Sequence, residues 1–122
     1  MQGLHLTADL NACQCELGAL TDPSNCESHA LAQCNAAGLE MVASHWHSFA
    51  TADSEPSGYT GVLLLAESHL AVHTWPELRG VTLDVYVCNY GQDNSAKARA
   101  LMDAMVAFFA PGSVNAQAIN RG

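Results

Sequence analysis

Two segments of the chain, residues 3–10 and 81–88, alternate strictly between apolar and polar side chains. A period of two is typical of a β-strand that buries one face and exposes the other. In the second segment the apolar positions are Val81, Leu83, Val85 and Val87, and the polar positions are Thr82, Asp84, Tyr86 and Cys88. The apolar face of each strand is therefore predicted to point into the core.

Two helices are predicted from their start and stop signals. Residues 25–37 follow Asp22-Pro23-Ser24, which can cap a helix, and they end before Gly38, a residue type that commonly ends one. The second helix is predicted from about residue 95 to residue 109, after the capping sequence Asp93-Asn94-Ser95. Its apolar side chains recur at helical spacing, which predicts one buried face.

The remaining segments favour strands and one loop. Residues 51–58 are rich in turn-forming residue types and predict a loop, and further strands are predicted at residues 39–49, 59–66, 70–75 and 114–119. Written in chain order as β-α-β-β-β-α-β, the elements predict an α+β fold, a two-layer sandwich of an antiparallel β-sheet with two helices packed on one face. A length of 122 residues suits a single domain, residues 1–122.

Composition and charge indicate which kinds of molecule the protein can bind. Hydrophobic residues make up 49% of the chain and charged residues only 13%, so we expect a partner subunit to cover part of the surface. The formal net charge of -8 repels phosphate backbones, which argues against nucleic acid and favours a cationic small molecule. No apolar run reaches the length of a membrane span and no signal peptide is visible, so we expect a cytoplasmic protein without a membrane partner.

The cysteines predict neither disulfides nor a metal site. They are odd in number and irregularly spaced, which fits neither a secreted disulfide framework nor a paired zinc ribbon. His45 and His47 alternate on a predicted strand without a further ligand, so we expect no metal, and a zinc site is kept only as an alternative. Most of the five cysteines are interpreted as small packing residues: Cys13, Cys15, Cys26, Cys34 and Cys88.

A polar break separates two apolar runs in the middle of the chain. Residues 59–66 and 70–75 each favour burial, yet Glu67, Ser68 and His69 stand between them. Taken alone, these three residues would be an ordinary polar turn. The surrounding residues 61–77 read Gly-Val-Leu-Leu-Leu-Ala-Glu-Ser-His-Leu-Ala-Val-His-Thr-Trp-Pro-Glu.

This segment resembles the bacterial S-adenosylmethionine decarboxylases, proenzymes of the short prokaryotic type. The resemblance runs from His5-Leu6 through residues 67–69 and 73–77 to Asp84 and Cys88. In that family a serine attacks the preceding peptide carbonyl, and the resulting ester breaks by β-elimination. The resemblance implies that the chain cuts itself between Glu67 and Ser68. Residues 68–122 would then begin with a pyruvoyl group, the self-generated cofactor, and residues 1–67 would form the other chain.

The resemblance also implies roles for five more residues. His73 corresponds to the histidine that removes the α-proton of the ester, and Thr60 stands where the family usually has a serine that assists this step. Cys88 corresponds to the proton donor to the decarboxylated carbon, and a thiol is mostly protonated at neutral pH, as an acid must be. Phe49 corresponds to an aromatic residue that stacks on adenine, and Glu77 to a carboxylate that holds the ribose hydroxyls.

Strand parity adds a geometric constraint. Ser68 and His73 are five residues apart, so in a regular strand their side chains face opposite ways. In the family, a homodimer or higher oligomer, one protomer supplies the serine and the cysteine to a site at the interface. The resemblance implies that the partner supplies Thr60, His73, Phe49 and Glu77. A β-bulge at His69 is the alternative explanation.

Three functions remain open from the sequence. The first is decarboxylation of S-adenosylmethionine to the aminopropyl donor for spermidine, with spermidine synthase as the pathway neighbour. The second is a pyruvoyl-dependent decarboxylase of ornithine or arginine, which Phe49 and Glu77 disfavour because such substrates lack adenine and ribose. The third is a non-catalytic dimer with an intact Ser68, and the joint presence of Ser68, His73 and Cys88 argues against it.

Overall fold

The two alternating segments form neighbouring antiparallel strands. The computed structural model describes residues 1–51 and 56–122. Its strands are β1 (Gly3–Asn11), β2 (Met41–Ser48), β3 (Tyr59–Leu65), β4 (Ser68–Trp75), β5 (Gly80–Cys88) and β6 (Ser113–Arg121). Its helices are α1 (Leu17–Thr21), α2 (Pro23–Ala37) and α3 (Ser95–Phe109), with a short 3₁₀ turn at Pro76–Leu78. All strand pairs are antiparallel in the order β2-β3-β4-β5-β1-β6.

The sheet is buried on one face only. The even positions of β1 and the odd positions of β5 are almost fully buried, as their alternation predicts. The same face of β3 and β4 contributes further buried residues, and α2 and α3 pack against each other and against the sheet. The core includes Leu6, Leu63, Leu70, Val72, Val85, Leu101, Met105 and Phe109. The predicted α+β two-layer sandwich is therefore confirmed, with α1 as a short additional helix.

The polar break in the sequence is the turn of a hairpin. Leu65 pairs directly with Ser68, so that Ala66 and Glu67 are the two loop residues between β3 and β4. Among the described residues, four strands lie between α2 and α3, in agreement with the four segments predicted at residues 39–49, 59–66, 70–75 and 81–88. The predicted order β-α-β-β-β-α-β counts one strand too few.

The register of β4 is continuous from Ser68 onward against both neighbouring strands. The alternative of a bulge at His69 is therefore wrong. Among the described strand pairs, the register shift lies instead between Met41 and Ala43 in β2.

The ends of the helices follow the predicted capping signals, with small shifts. Helix α2 begins at Pro23, two residues earlier than predicted, because the Asp22 carboxylate accepts the Ser24 N–H at 3.0 Å and proline is tolerated in the first turn. These hydrogen bonds from Ser24 hold the pKa of Asp22 below its usual value. Gly38 ends the helix with a φ of 83°. None of the described helices is long and apolar enough to cross a membrane.

Other boundaries differ where local signals are weak. Strand β2 is shorter than the predicted residues 39–49, whereas β6 is longer than residues 114–119 because it pairs with β1 along its whole length. In the predicted loop at residues 51–58, residues 52–55 lie outside the described residues. The base of this loop is closed by the Phe49 N–H, which donates to the Gly58 carbonyl at 3.0 Å.

Three of the five cysteines lie in the core, as the packing interpretation predicts. Cys13, Cys26 and Cys34 are each at most 1% exposed, and none of the five cysteines forms a disulfide. Burial raises the pKa of the Cys26 and Cys34 thiols to about 11, so both stay protonated at neutral pH. Cys88 is the exception that matters for chemistry, because its side chain lies on the polar face of β5.

Gly61 provides a test of the packing between β2 and β3. A Cβ atom at this position would lie 2.0 Å from the ring of Trp46, so Gly61→Ala must displace a large side chain. We expect a loss of about 1–3 kcal/mol in the free energy of unfolding, measured by urea titration. Gly18→Ala is the matched control, because its Cβ would meet nothing within 4 Å, and it should leave stability unchanged or slightly higher. Equal stability of the two variants would contradict the packing.

Candidate active site

The predicted site residues form two groups at opposite ends of β4. Ser68 is the first residue of this strand and His73 is the sixth. At about 3.3 Å per residue, their Cα atoms are roughly 17 Å apart, beyond the reach of a serine and a histidine side chain. The two side chains also belong to opposite faces of the strand. Within one chain, His73 therefore cannot act on Ser68.

The first group, the serine end, consists of Glu67, Ser68 and Cys88. The Cys88 N–H donates a hydrogen bond of 2.8 Å to the Glu67 carbonyl oxygen, which belongs to the peptide bond just before Ser68. The φ of Ser68 is 157°, a positive value that residues with a Cβ seldom adopt. A cavity of about 320 Å³ opens beside this group, lined by Ala66, Glu67, Cys88, Tyr90, Gln92 and Asn94.

Glu67 is held by a backbone segment from the other side of the turn. The Glu40 N–H donates to the Glu67 carboxylate at 3.1 Å, and the Ala66 N–H donates to the Glu40 carbonyl at 2.8 Å. Together with the bond from Cys88, these contacts anchor both the backbone and the side chain of Glu67. The peptide bond before Ser68 is therefore fixed rather than free in an open loop.

Cys88 is positioned by the start of α3. The Asn94 side chain donates to the Cys88 carbonyl at 2.9 Å, and the Tyr90 N–H donates to the Cys88 sulfur at 3.4 Å. Asn94 therefore does not cap the helix with its side chain, and Asp93 accepts the Ser95 N–H instead. The Cys88 thiol is half-buried and free of any disulfide, so it can donate a proton to a group in the adjoining cavity.

The second group, the histidine end, surrounds a cavity of about 660 Å³. Four predicted residues, Phe49, Thr60, His73 and Glu77, line this cavity together with Trp75. Thr60 and His73 are register partners on β3 and β4, and the Thr60 hydroxyl is hydrogen bonded to the His73 Nδ1 at 2.7 Å. This bond sets the orientation of the imidazole, which is exposed on the open face of the sheet.

The cavity at the histidine end suits a flat, positively charged ligand. The Phe49 ring is 55% exposed and Trp75 is 40% exposed, so apolar ring surface is available for stacking. The His47 ring meets the Phe49 ring edge-on, with centroids 4.8 Å apart, which supports the position of Phe49. Among the described lining residues there is one carboxylate, Glu77, and no lysine or arginine.

A third group of polar side chains was not predicted from the sequence. His5, His69 and Asp84 meet on the open face of the sheet, where each imidazole is hydrogen bonded to the Asp84 carboxylate. The polar parity of β1 and β5 places His5 and Asp84 on this face, but only the strand order reveals that β4 brings His69 to the other side of Asp84.

Comparisons with known proteins agree with this arrangement. A profile of the S-adenosylmethionine decarboxylase family matches residues 4–122. The S-adenosylmethionine decarboxylase proenzyme of a Hydrogenobaculum species is 36% identical over 121 residues, which cover 98% of this chain and 81% of the relative. The proenzyme of Aquifex aeolicus is 35% identical with the same coverage.

A solved structure gives the same result at the level of the fold. The crystal structure of the adenosylmethionine decarboxylase from Aquifex aeolicus superimposes with a TM-score of 0.83 and 32% identity, over 98% of this chain and 90% of that one. The profile match and the relatives span nearly the whole chain, so they include both the serine end and the histidine end. The chain therefore belongs to the S-adenosylmethionine decarboxylase family.

Proposed function

We propose that this protein is a self-processing, pyruvoyl-dependent decarboxylase of S-adenosylmethionine. The observation that carries the proposal is the 2.8 Å hydrogen bond from the Cys88 N–H to the Glu67 carbonyl oxygen. It points a backbone donor at the carbonyl that Ser68 must attack. Family membership supports the reaction class, the resemblance suggests a role for each residue, and the geometry of the two ends is compatible with these roles.

Processing begins at the Glu67–Ser68 peptide bond. The Ser68 hydroxyl oxygen attacks the Glu67 carbonyl carbon, and the Cys88 N–H stabilises the negative charge that develops on the carbonyl oxygen. The C–N bond then breaks, so that an ester replaces the amide. An ester is less stable than an amide, and the unusual φ of Ser68 raises the energy of the starting peptide bond relative to it. The hydrogen bond from the Glu40 N–H to the Glu67 carboxylate limits the relaxation of this segment.

Removal of the Ser68 α-proton completes the cut. The ester Cβ–O bond breaks by β-elimination, which frees the Glu67 carboxylate and leaves a double bond at position 68. Water then replaces the nitrogen, ammonia leaves, and a pyruvoyl group remains. His73 is the base in this step, with its ring oriented by Thr60.

The base comes from a second copy of the chain. The separation of about 17 Å along β4 excludes attack by His73 on its own Ser68. The open face of the sheet exposes His73 and Trp75 and also carries Cys88. Ser68 has the parity of the opposite face, but it is the first residue of β4 and is only partly buried. A second copy packed on the open face would therefore bring its histidine end to Ser68 at the end of the strand, beside the turn. We therefore expect a homodimer, or a higher oligomer built from it, with two shared sites.

The serine end fits a pyruvoyl group at position 68. Once formed, this group supplies an electron sink for the electrons left by departing carbon dioxide. The cavity of about 320 Å³ is lined by Glu67, the residue before position 68, and by Cys88, and it leaves room for a substrate α-amine and carboxylate. Cys88, with its half-buried thiol on the same cavity, donates the proton that replaces the carboxylate.

The residues of the histidine end determine which substrate binds. Its cavity of about 660 Å³ lies in the range of small-molecule sites. Phe49 stacks on adenine, Glu77 accepts hydrogen bonds from the ribose hydroxyls, and the absence of basic side chains among the described lining residues suits the sulfonium cation. The product is the aminopropyl donor for spermidine, which spermidine synthase consumes in the cytoplasm.

A second candidate uses the same chemistry on ornithine or arginine. The single carboxylate of this cavity also suits the side-chain cation of a basic amino acid. Carbon dioxide release from S-adenosylmethionine, ornithine and arginine, measured on one preparation, decides between them. Preference for a basic amino acid would overturn the assignment of Phe49 and Glu77, and no release from any of them, with an uncut chain, would indicate the non-catalytic dimer.

Ser68→Ala removes the attacking hydroxyl and should leave the chain uncut. The intact mass under denaturing conditions should show two fragments for the wild type, divided between residues 67 and 68, and one full-length chain for the variant. Ser113→Ala is the control, because this exposed serine begins β6, and it should cut normally. A cut Ser68→Ala chain would show that the mechanism is wrong.

Cys88→Ala separates processing from turnover. The variant keeps the backbone N–H that contacts Glu67, so the chain should still be cut. Loss of the proton donor should lower the decarboxylation rate by about 100-fold or more. Cys15→Ala, which removes a thiol that is not among the described lining residues of either cavity, should change neither property. Full turnover in a cut Cys88→Ala enzyme would exclude the thiol as the acid.

Mixed subunits test the shared site. Neither His73→Ala nor Ser68→Ala should process alone, but coexpression with different tags forms one intact site, from Ser68 of the first variant and His73 of the second. Only the His73→Ala chain should then be cut, as read from the tagged masses. Coexpression of His73→Ala with the double variant Ser68→Ala/His73→Ala should give no cut chain. Processing of His73→Ala by itself, or cutting in this control pair, would contradict the arrangement.

A further inference from the structure

The cluster of His5, His69 and Asp84 has no part in the mechanism above. It lies on the open face of three neighbouring strands, with His5 on β1, Asp84 on β5 and His69 on β4. The His69 Nε2 is 3.0 Å from one Asp84 oxygen, and the His5 Nε2 contacts the other. One ligand atom from each of the three side chains lies within 4.8 Å of the other two.

The strands hold these side chains in a rigid frame. His5 and His69 both pair in register with Tyr86, one from each side, and Asp84 lies two residues away on the same face of β5. The Tyr86 ring contacts both imidazoles, with centroids 5.6 Å from His5 and 5.9 Å from His69. The strand pairing and the ring contacts with Tyr86 therefore hold both Nε2 atoms close to the Asp84 carboxylate. None of the three side chains lies on a loop.

The charge of the cluster calls for a cation. Within the part of the chain that the structure describes, the ion-pair partners of Asp84 are the two histidines, and no lysine or arginine pairs with it. The guanidinium of Arg121 lies 4.5 Å from the Tyr86 ring centroid and stacks on that ring. The chain as a whole carries a formal charge of -8.

The donor set identifies the class of cation. Two imidazole nitrogens with one carboxylate suit zinc, cobalt or nickel, whereas calcium and magnesium prefer all-oxygen sites. In a tetrahedral zinc site with bonds of about 2.0–2.1 Å, neighbouring ligand atoms are roughly 3.3 Å apart. The ligand atoms of the three side chains lie within 4.8 Å of one another, so all three can reach one ion. In the single chain the histidine and aspartate side chains are 24–34% exposed, so the fourth ligand can come from water or from a second copy packed on the open face.

We propose that His5, His69 and Asp84 bind one divalent transition-metal ion of the zinc type, which links β1, β4 and β5 on the open face. No metal was expected from the sequence, because the three residues lie on separate strands whose order the sequence does not reveal. The proposal does not depend on the decarboxylase assignment, since binding is measured directly. Without a metal, the same three side chains form only a hydrogen-bonded cluster.

Metal binding to the full chain tests the proposal. The wild type and the uncut Ser68→Ala chain are stripped with a chelator and titrated with Zn²⁺ by calorimetry, and with Co²⁺ by visible absorption. One ion per chain should bind with micromolar or tighter affinity, and Zn²⁺ should raise the melting temperature. Asp84→Asn and His69→Gln should each weaken binding at least about tenfold, since losing even an outer partner of a ligand costs about 10- to 100-fold.

The controls distinguish this site from others. His45→Gln changes an exposed histidine on β2 and should bind Zn²⁺ as the wild type does. If circular dichroism shows that Asp84→Asn does not fold, the Zn²⁺ affinities of His5→Gln and His69→Gln test the site instead. No saturable binding up to about 100 μM, or unchanged affinity in the ligand variants, would overturn the proposal. A strong near-ultraviolet sulfur-to-cobalt band would place the ion on cysteines instead and would also overturn it.

Discussion

The apolar side chains of β1, β3, β4 and β5 all pack against the helices on one face of the sheet. Because side chains alternate along a strand, this packing directs every second residue to the opposite face. A slip of one residue in β4 would bury His73 and expose Leu70 and Val72, at a cost of several buried leucine- or valine-sized side chains. The core therefore keeps the candidate site in register, although it contains none of the reacting groups.

The hairpin between β3 and β4 adds a local constraint. The turn ends at Glu67, and its backbone groups are bonded to Glu40 and Cys88 rather than to solvent. Such a peptide bond cannot relax freely, which distinguishes it from an exposed polar turn of the same composition. The two long helices contribute indirectly, since Asn94 at the start of α3 holds the Cys88 carbonyl. The turn and the packing of α3 therefore both restrict the position of the peptide bond between Glu67 and Ser68.

Much of the fold could be predicted because its signals are local. Alternation identified β1 and β5, and Asp22 and Gly38 marked the ends of α2 within two residues. Helix α1 was missed because its five residues carry no side-chain cap. The apolar runs at residues 59–66 and 70–75 were predicted as separate strands, but the polar break between them did not reveal that they pair as a hairpin. The whole of β6 is exposed, so burial leaves no pattern in its sequence.

The sequence by itself determined which face of each strand a residue occupies and which family motif the chain carries, because both depend on spacing along the chain. The opposite faces of Ser68 and His73 follow from parity alone. Only the tertiary structure decided which strands are neighbours, and therefore which distant residues meet. The Thr60–His73 bond joins residues 13 positions apart, and the His5–Asp84 contact joins residues 79 positions apart. Such pairs depend on the register of the whole sheet, which is set by the packing of all strands against the helices and not by any single segment.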